Sequence, residues 1–350
     1  MIARAAKAAA TRWIAREAAG TQGFAGAFFH GSIVGLPDET ILAATSDIDV
    51  MVVRDGPAPE VKPGKIVEDG VMLDVTDLPW EEVRSAEHVL GQYHLAGSFR
   101  YPSVIADPGG RLAPLQREVA ASFTERQWVR SRCADAVERI ERNLRGVASA
   151  ETFPDNVTSW LFGTGVTTHV LLVAGLRNPT VRKRYAAARD LLVEHGRLAE
   201  YETLLHLQGS AGLTRSQVDG HLAALGEVFD AAAAAVTTPV FYASDISPGA
   251  RSIAIDGSQE LIERGDHREA VFWIVATYAR CLSILGRDAP REVYQRFEPG
   301  FRALLADLGV TLAGDLERRV IEVRAAIPWL LGVAEEIMDV RREGEWVWWG

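Results

Sequence analysis

The chain has 350 residues, 48% of them hydrophobic and 24% charged, which is typical of a globular protein with two domains. Its net charge of −10 argues against a nucleic-acid-binding surface, which needs basic residues for the phosphates, and is compatible with a cationic small-molecule substrate. We find neither an apolar run of about 18 residues nor a signal-peptide pattern, so we expect a cytoplasmic protein without a membrane partner. Cys133 and Cys281 match no metal or redox spacing, and we interpret both as buried thiols.

The first third of the chain alternates helix and strand signals. An alanine-rich helix is predicted over residues 2–19, ending at Gly20, a favoured helix stop. The segments "GAFFHGS" and "SDIDVMVV" then predict two strands, and "GKIVEDGVMLDVTDL" predicts a hairpin around the turn Asp69-Gly70. A second helix is predicted in "PWEEVRSAEHVLGQYHLAG", and the turn-rich segment "ADPGGRLAPL" follows it.

Beyond that segment the strand signals fade and helical periodicity dominates. A long amphipathic helix is predicted in "LQREVAASFTERQWVRSRCADAVERIERNL", and further helices follow at about 158–176, 179–195, 197–208 and 214–235. We therefore predict an α/β domain at 1–112, with a small mixed sheet and flanking helices, followed by an α-helical bundle domain at 113–350. We interpret the terminal "EWVWWG" as packing against the bundle or against a partner in a homodimer, and the oligomeric state stays open.

Three aspartates stand on strands that are otherwise apolar. Because side chains alternate between the faces of a strand, Asp47 and Asp49 share one face of "SDIDVMVV", opposite its branched apolar residues. Asp74 has the same kind of position in the second strand of the hairpin. If the two strands are neighbours, the three carboxylates converge on one patch. Their mutual repulsion then needs a cation, and carboxylate oxygens suit a hard cation such as Mg²⁺, which is commonly shared with substrate phosphates.

Gly31 and Ser32 form a turn directly after the first strand. Glycine allows close backbone approach, and exposed N–H groups together with a serine hydroxyl can bind phosphate. The Gly-Ser pair is weak evidence on its own, since most such pairs are ordinary turns. Its position before the aspartate-bearing strand gives it weight.

The series "HGS", "SDIDV" and "VMLDV" resembles the nucleotidyltransferase superfamily of the DNA polymerase beta type, over about residues 22–80. With a helical domain after it, the chain looks most like the antibiotic nucleotidyltransferases, particularly the aminoglycoside adenylyltransferases. One departure is the spacer of fourteen residues between Ser32 and Asp47, which is longer than usual for the family. We expect the added residues, within Gly35 to Thr45, to enlarge a loop over the phosphate site.

The resemblance implies a role for each matching residue. Asp47 and Asp49 would bind two Mg²⁺ ions, and Asp74 would complete the metal site and orient or deprotonate the acceptor hydroxyl. The residues that would bind the nucleoside triphosphate are Gly31, Ser32, Ser46, Arg182 and Lys183. The last two belong to a basic run in the helical domain, for which a solvated helix face is the simpler interpretation.

The implied activity is Mg²⁺-dependent transfer of a nucleoside monophosphate, AMP from ATP in the first instance, to a hydroxyl of a small molecule. An aminoglycoside-like antibiotic would suit the acidic composition. The alternative is a non-catalytic or regulatory protein of the same fold that acts on a protein partner, as an antitoxin does.

Overall fold

We describe the fold from a computed structural model of the chain, over residues 1–57, 59 and 62–340. The chain forms two compact units. The first comprises the described residues of Met1–Asp135, Leu176–Pro179 and Met338–Val340; the second comprises Ala136–Gly175 and Thr180–Ile337. The predicted domain limits, 1–112 and 113–350, stay a prediction, and "EWVWWG" lies outside the described residues.

The first unit begins with the predicted N-terminal helix. Helix α1 spans Ala3–Trp13, and a more loosely wound π-helical turn, Ile14–Ala18, continues it. Alanines at helical spacing make the buried face of α1 narrow, which lets the helix approach the sheet closely.

Five strands form a mixed sheet in the order β3-β4-β2-β1-β5. Their limits are β1 Phe24–His30, β2 Ile48–Arg54, β3 Gly64–Glu68, β4 Val71–Pro79 and β5 Val104–Ala106. Strands β2 and β4 run parallel, and the other three pairs are antiparallel. The four predicted strands and the mixed sheet are confirmed. Strand β5 was missed because it has only three residues and lies beside the turn-rich segment.

Both faces of the sheet are covered. On β2, Ile48, Val50 and Val52 join the core cluster that contains the alanines of α1. The opposite face, which carries Met51 and Val53, packs on residues from the segment after β4. The alternation along β2 therefore buries apolar residues on both sides and leaves its N-terminal end for Asp47 and Asp49.

Two predicted helices of the first unit are interrupted. The segment 79–97 forms only one short α-helix, α2 (Ala86–Gly91), with isolated 3₁₀ turns on either side. Ser85 caps its start by accepting a hydrogen bond from the His88 amide, and Gly91 is its last residue.

The predicted helix over 115–144 is likewise two helices, α3 (Leu112–Ser122) and α4 (Arg126–Ser149). Phe123 lies at the break. The buried Arg132 donates a hydrogen bond to the Phe123 carbonyl at 2.7 Å and stacks on its ring at 4.3 Å, so the broken end has a polar partner.

The second unit is helical, and its predicted helices are present. It contains part of α4 and of the last helix, α13 (Ala313–Val340), with eight helices between them. In order these eight are α5 Phe153–Ala174, α6 Arg184–Glu194, α7 Leu198–Gln208, α8 Arg215–Ala235, α9 Arg251–Ala254, α10 Asp256–Glu263, α11 His267–Asp288 and α12 Arg291–Asp307. Helix α11 is central and packs on α5, α8, α10 and α12.

Two helices of this unit, α5 and α11, are long and apolar enough to cross a membrane by length and composition. In each, 83% of the apolar window is buried inside the structure, which is what the core helix of a bundle requires. Cys133 and Cys281 are both buried, as predicted.

Candidate functional site

A row of polar residues crosses four strands on one face of the sheet. His30 on β1 is opposite Asp49 on β2, Asp49 is opposite Asp74 on β4, and Asp74 is opposite Lys65 on β3. Residues in direct register share a face and lie about 5 Å apart. The expectation that the strand with Asp74 lies beside the strand with Asp49 is therefore confirmed, and Asp47 stands one residue before β2.

Two lysines form ion pairs with Asp47 and Asp74 in this carboxylate group. Lys65 Nζ lies 2.5 Å from Asp47 Oδ2 and 2.8 Å from Asp74 Oδ2, so a single ammonium bridges the two carboxylates. Lys62 Nζ contacts the other oxygen of Asp74 at 3.0 Å. The lysine side chains are only 7% and 9% exposed, which makes these shielded ion pairs rather than surface contacts.

The carboxylates differ in proton affinity because their surroundings differ. Burial raises the pKa of Asp49 well above its usual value, and the negative charges of Asp47 and Asp74 add to the rise. Burial acts in the same direction on Asp74, but the charges of Lys65 and Lys62 outweigh it, so the pKa of Asp74 is lowered. Asp49 therefore carries most of the unrelieved electrostatic cost of the site.

His30 extends the row on the far side of Asp49. Its Nδ1 lies 2.6 Å from the hydroxyl of Ser98, which is buried. Burial and the neighbouring His94 lower the pKa of His30 to about 4, although Asp74 acts to raise it. The imidazole is therefore neutral at physiological pH, and the row gains a polar group without a further charge.

The turn after β1 brings backbone against Asp49. Gly31 has φ +66°, in the left-handed region, and a Cβ added there would lie 2.1 Å from Asp49 Oδ2. Only glycine permits this approach without displacing the carboxylate. Ile33 is buried below the turn and fixes it, whereas Ser32 is exposed.

The long spacer between Gly35 and Thr45 is bound to the N-terminal end of α1. The amide of Ala3 donates to the Thr40 carbonyl at 2.8 Å, so the spacer supplies an acceptor for an amide that the helix leaves unpaired. Lys7 Nζ contacts Asp38 Oδ1 at 3.0 Å. These contacts give the added residues a structural role, and their position over a phosphate site stays a prediction.

The other predicted nucleotide-binding residues have local contacts. Ser46 is half-buried just before Asp47, and its amide donates to the Ala43 carbonyl at 3.0 Å. Arg182 and Lys183 belong to the second unit, where Arg182 Nη1 donates to the Ile253 carbonyl at 2.9 Å. Burial and the charges of Arg182 and Arg264 lower the pKa of Lys183. A role for these three residues at a nucleotide stays a prediction.

The three aspartates offer the type of ligand that Mg²⁺ prefers, because this ion is usually bound by one or two carboxylates together with water and substrate phosphates. In their present arrangement they are not a finished metal site. Within residues 1–57, 59 and 62–340, no group of three or more histidine, cysteine, aspartate and glutamate side chains could hold a metal ion as it stands. The ammonium of Lys65 lies between Asp47 and Asp74, so a bridging metal ion requires that this lysine move.

Lys62, Lys65 and Ser98 were not among the residues predicted for the site. A signal for Lys65 was present in the sequence, because a two-residue turn at Asp69-Gly70 fixes the hairpin register and places Lys65 opposite Asp74. Both turn residues have positive φ, +50° and +77°, as such a turn requires. Ser98 left no comparable signal, since it reaches His30 through a contact 68 residues away in sequence.

No protein-family model matches the sequence, and neither a curated protein nor a solved structure matches the chain.

Proposed function

We propose that the chain is a Mg²⁺-dependent nucleotidyltransferase that transfers a nucleoside monophosphate, AMP from ATP in the first instance, to a hydroxyl group of a small molecule. The observation that carries this proposal is the register of Asp49 with Asp74 on parallel strands, with Asp47 on the same face and Gly31 against Asp49. An arrangement made only to stabilise the fold would avoid placing three like charges together.

In this proposal each residue acts through its position. Asp47, Asp49 and Asp74 hold two Mg²⁺ ions, as the resemblance implies. Gly31 gives the phosphates access to backbone N–H groups, and the exposed Ser32 adds a hydroxyl donor. When bound, Mg²⁺ neutralises phosphate charge and makes an acceptor hydroxyl easier to deprotonate.

In this proposal Asp74 orients the acceptor hydroxyl. The charges of Lys65 and Lys62 lower its pKa, so it is ionised near neutral pH and can accept a hydrogen bond from that hydroxyl. Asp49, whose pKa is raised, gains most when a cation neutralises the group. The negative charge of the chain also favours a cationic acceptor, such as an aminoglycoside-like amine-rich sugar.

The test is transfer of label from each of the four α-³²P nucleoside triphosphates to a panel of aminoglycosides and lincosamides, with Mg²⁺ present. We expect a labelled product with at least one acceptor, and its loss in Asp49→Asn and Asp74→Asn. Asp69→Asn is the matched control, because Asp69 lies on the exposed hairpin turn and pairs with Arg12. Wild-type turnover in both site variants would exclude this mechanism.

A second candidate function is a non-catalytic, regulatory protein of the same fold that binds a protein partner. The ion pairs of Lys62 and Lys65 favour it, because they neutralise Asp74 and Asp47 without a metal. If these lysines are permanent partners of the carboxylates, Mg²⁺ and nucleoside triphosphate will leave the thermal midpoint unchanged. Under the enzymatic proposal, both ligands raise it.

A further inference from the structure

Lys65 places an ammonium group where a cation of the carboxylate site would stand. Its side chain is 7% exposed, and its Nζ contacts Asp47 and Asp74 at 2.5 and 2.8 Å. A lysine is rarely buried this far without partners, because loss of hydration disfavours the charge. The two carboxylates supply the compensation, and Lys65 in turn reduces their mutual repulsion.

The position of Lys65 follows from the hairpin. Strand β3 pairs with β4 so that Lys65 stands opposite Asp74, and its long side chain reaches past Asp74 to the carboxylate of Asp47. Lys62 is placed differently, since it contacts Asp74 through the oxygen that Lys65 does not use. Of these two contacts on Asp74, only that of Lys65 is part of a bridge to Asp47.

A divalent cation and this ammonium cannot share the bridge. Mg²⁺ binds carboxylate oxygens at about 2.0–2.1 Å. A Mg²⁺ ion bound to both of these oxygens would therefore overlap with Lys65 Nζ, which contacts the same two oxygens. Two positive charges at that separation also repel each other strongly. Occupation of the bridge by a metal ion therefore requires that the lysine leave.

We propose that Lys65 is the resident counter-ion of the carboxylate site, and that a divalent cation must displace it before bridging Asp47 and Asp74. This inference rests on the proposed function and adds a determinant of metal affinity to it. Lys65 is a positioning residue here. It holds the carboxylates together in the absence of metal and lowers their affinity for metal by competition.

Binding of Mn²⁺ alone tests the inference, measured as loss of the free-ion signal in electron paramagnetic resonance, without nucleotide or acceptor. We expect Lys65→Met to bind Mn²⁺ about tenfold or more tightly than the wild type, since a positive charge in contact lowers the proton affinity of a carboxylate by about tenfold or more and opposes a second cation in the same way. Lys65→Arg keeps the charge and should retain the wild-type affinity. Lys7→Met is the charge-matched control, because Lys7 pairs with Asp38 and touches none of the three aspartates.

Thermal unfolding separates competition from a merely structural role. Without metal, Lys65→Met should melt below the wild type, and saturating Mn²⁺ should raise its midpoint more than that of the wild type. Lys65→Gln, whose amide can still donate to one carboxylate, provides a second variant if Lys65→Met does not fold.

Equal Mn²⁺ affinity in the wild type and the neutral variants would overturn the role of Lys65 and leave the proposed function standing. Absence of Mn²⁺ binding in all of them would overturn both.

Discussion

The substitution Gly31→Ala tests whether the turn after β1 and the carboxylate of Asp49 are built against each other. The new methyl group would stand 2.1 Å from Asp49 Oδ2 and 3.0 Å from its Cγ, far inside van der Waals contact, so the carboxylate must rotate away. The backbone at φ +66° adds a strain of about 1–2 kcal/mol for any residue with a Cβ. Displacing the carboxylate from its rotamer adds about 0.5–1.5 kcal/mol, so we expect a total loss of roughly 2–3 kcal/mol.

Gly110→Ala provides a control with almost the same backbone conformation. Gly110 has φ +65°, and nothing lies within 4 Å of the position that its Cβ would take. We expect this variant to lose only the backbone contribution, about 1–2 kcal/mol, in urea unfolding followed by circular dichroism. It should keep the nucleotidyl transfer activity that Gly31→Ala loses. Equal unfolding free energies for the two variants would refute the close contact between Gly31 and Asp49.

Three further substitutions, the last with Arg264→Met as its control, test the electrostatics of both units. Asp49→Asn should abolish activity and yet raise the unfolding free energy by roughly 1 kcal/mol at pH 7. The stability rises because the substitution removes a charge that burial and the charges of Asp47 and Asp74 disfavour. Lower stability in urea unfolding would contradict this. Burial and Arg184 hold the pKa of His169 well below 6.5, so below that pH the unfolded state binds more protons and stability falls by up to about 1.4 kcal/mol per pH unit. In His169→Gln this contribution should be absent, and parallel stability–pH curves would exclude it. Arg189→Met should lower the unfolding free energy by about 3 kcal/mol, because Arg189 neutralises the buried Glu269 and Asp266. Arg264→Met breaks a more exposed pair with Asp266 and should lower it by less than about 1 kcal/mol. Equal losses of unfolding free energy would contradict the difference in burial.

Local patterns were sufficient to predict four of the five strands of the sheet that carries the site. Alternation in "SDIDVMVV" placed Asp47 and Asp49 on one face, and the turn Asp69-Gly70 fixed the hairpin that carries Asp74. The sequence did not determine that β2 and β4 are neighbours, because the path of the long connection between two parallel strands cannot be read from local patterns.

Features that depend on tertiary contacts could not be predicted from the sequence. The break between α3 and α4 depends on Arg132, which donates a hydrogen bond to the Phe123 carbonyl from the second turn of the next helix. The fixation of the long spacer depends on the unpaired amides of α1. Helical periodicity is a property of one helix at a time, so it predicts neither of these contacts between segments.

The most direct test of the central claim is calorimetric binding of a non-hydrolysable ATP analogue, with and without Mg²⁺, since it requires no acceptor. The account predicts binding that depends on Mg²⁺ in the wild type and in Asp69→Asn, and that is lost in Asp49→Asn and Asp74→Asn. Absence of binding in the wild type, or equal binding in the two site variants, would contradict the assignment of the three aspartates to a metal–nucleotide site.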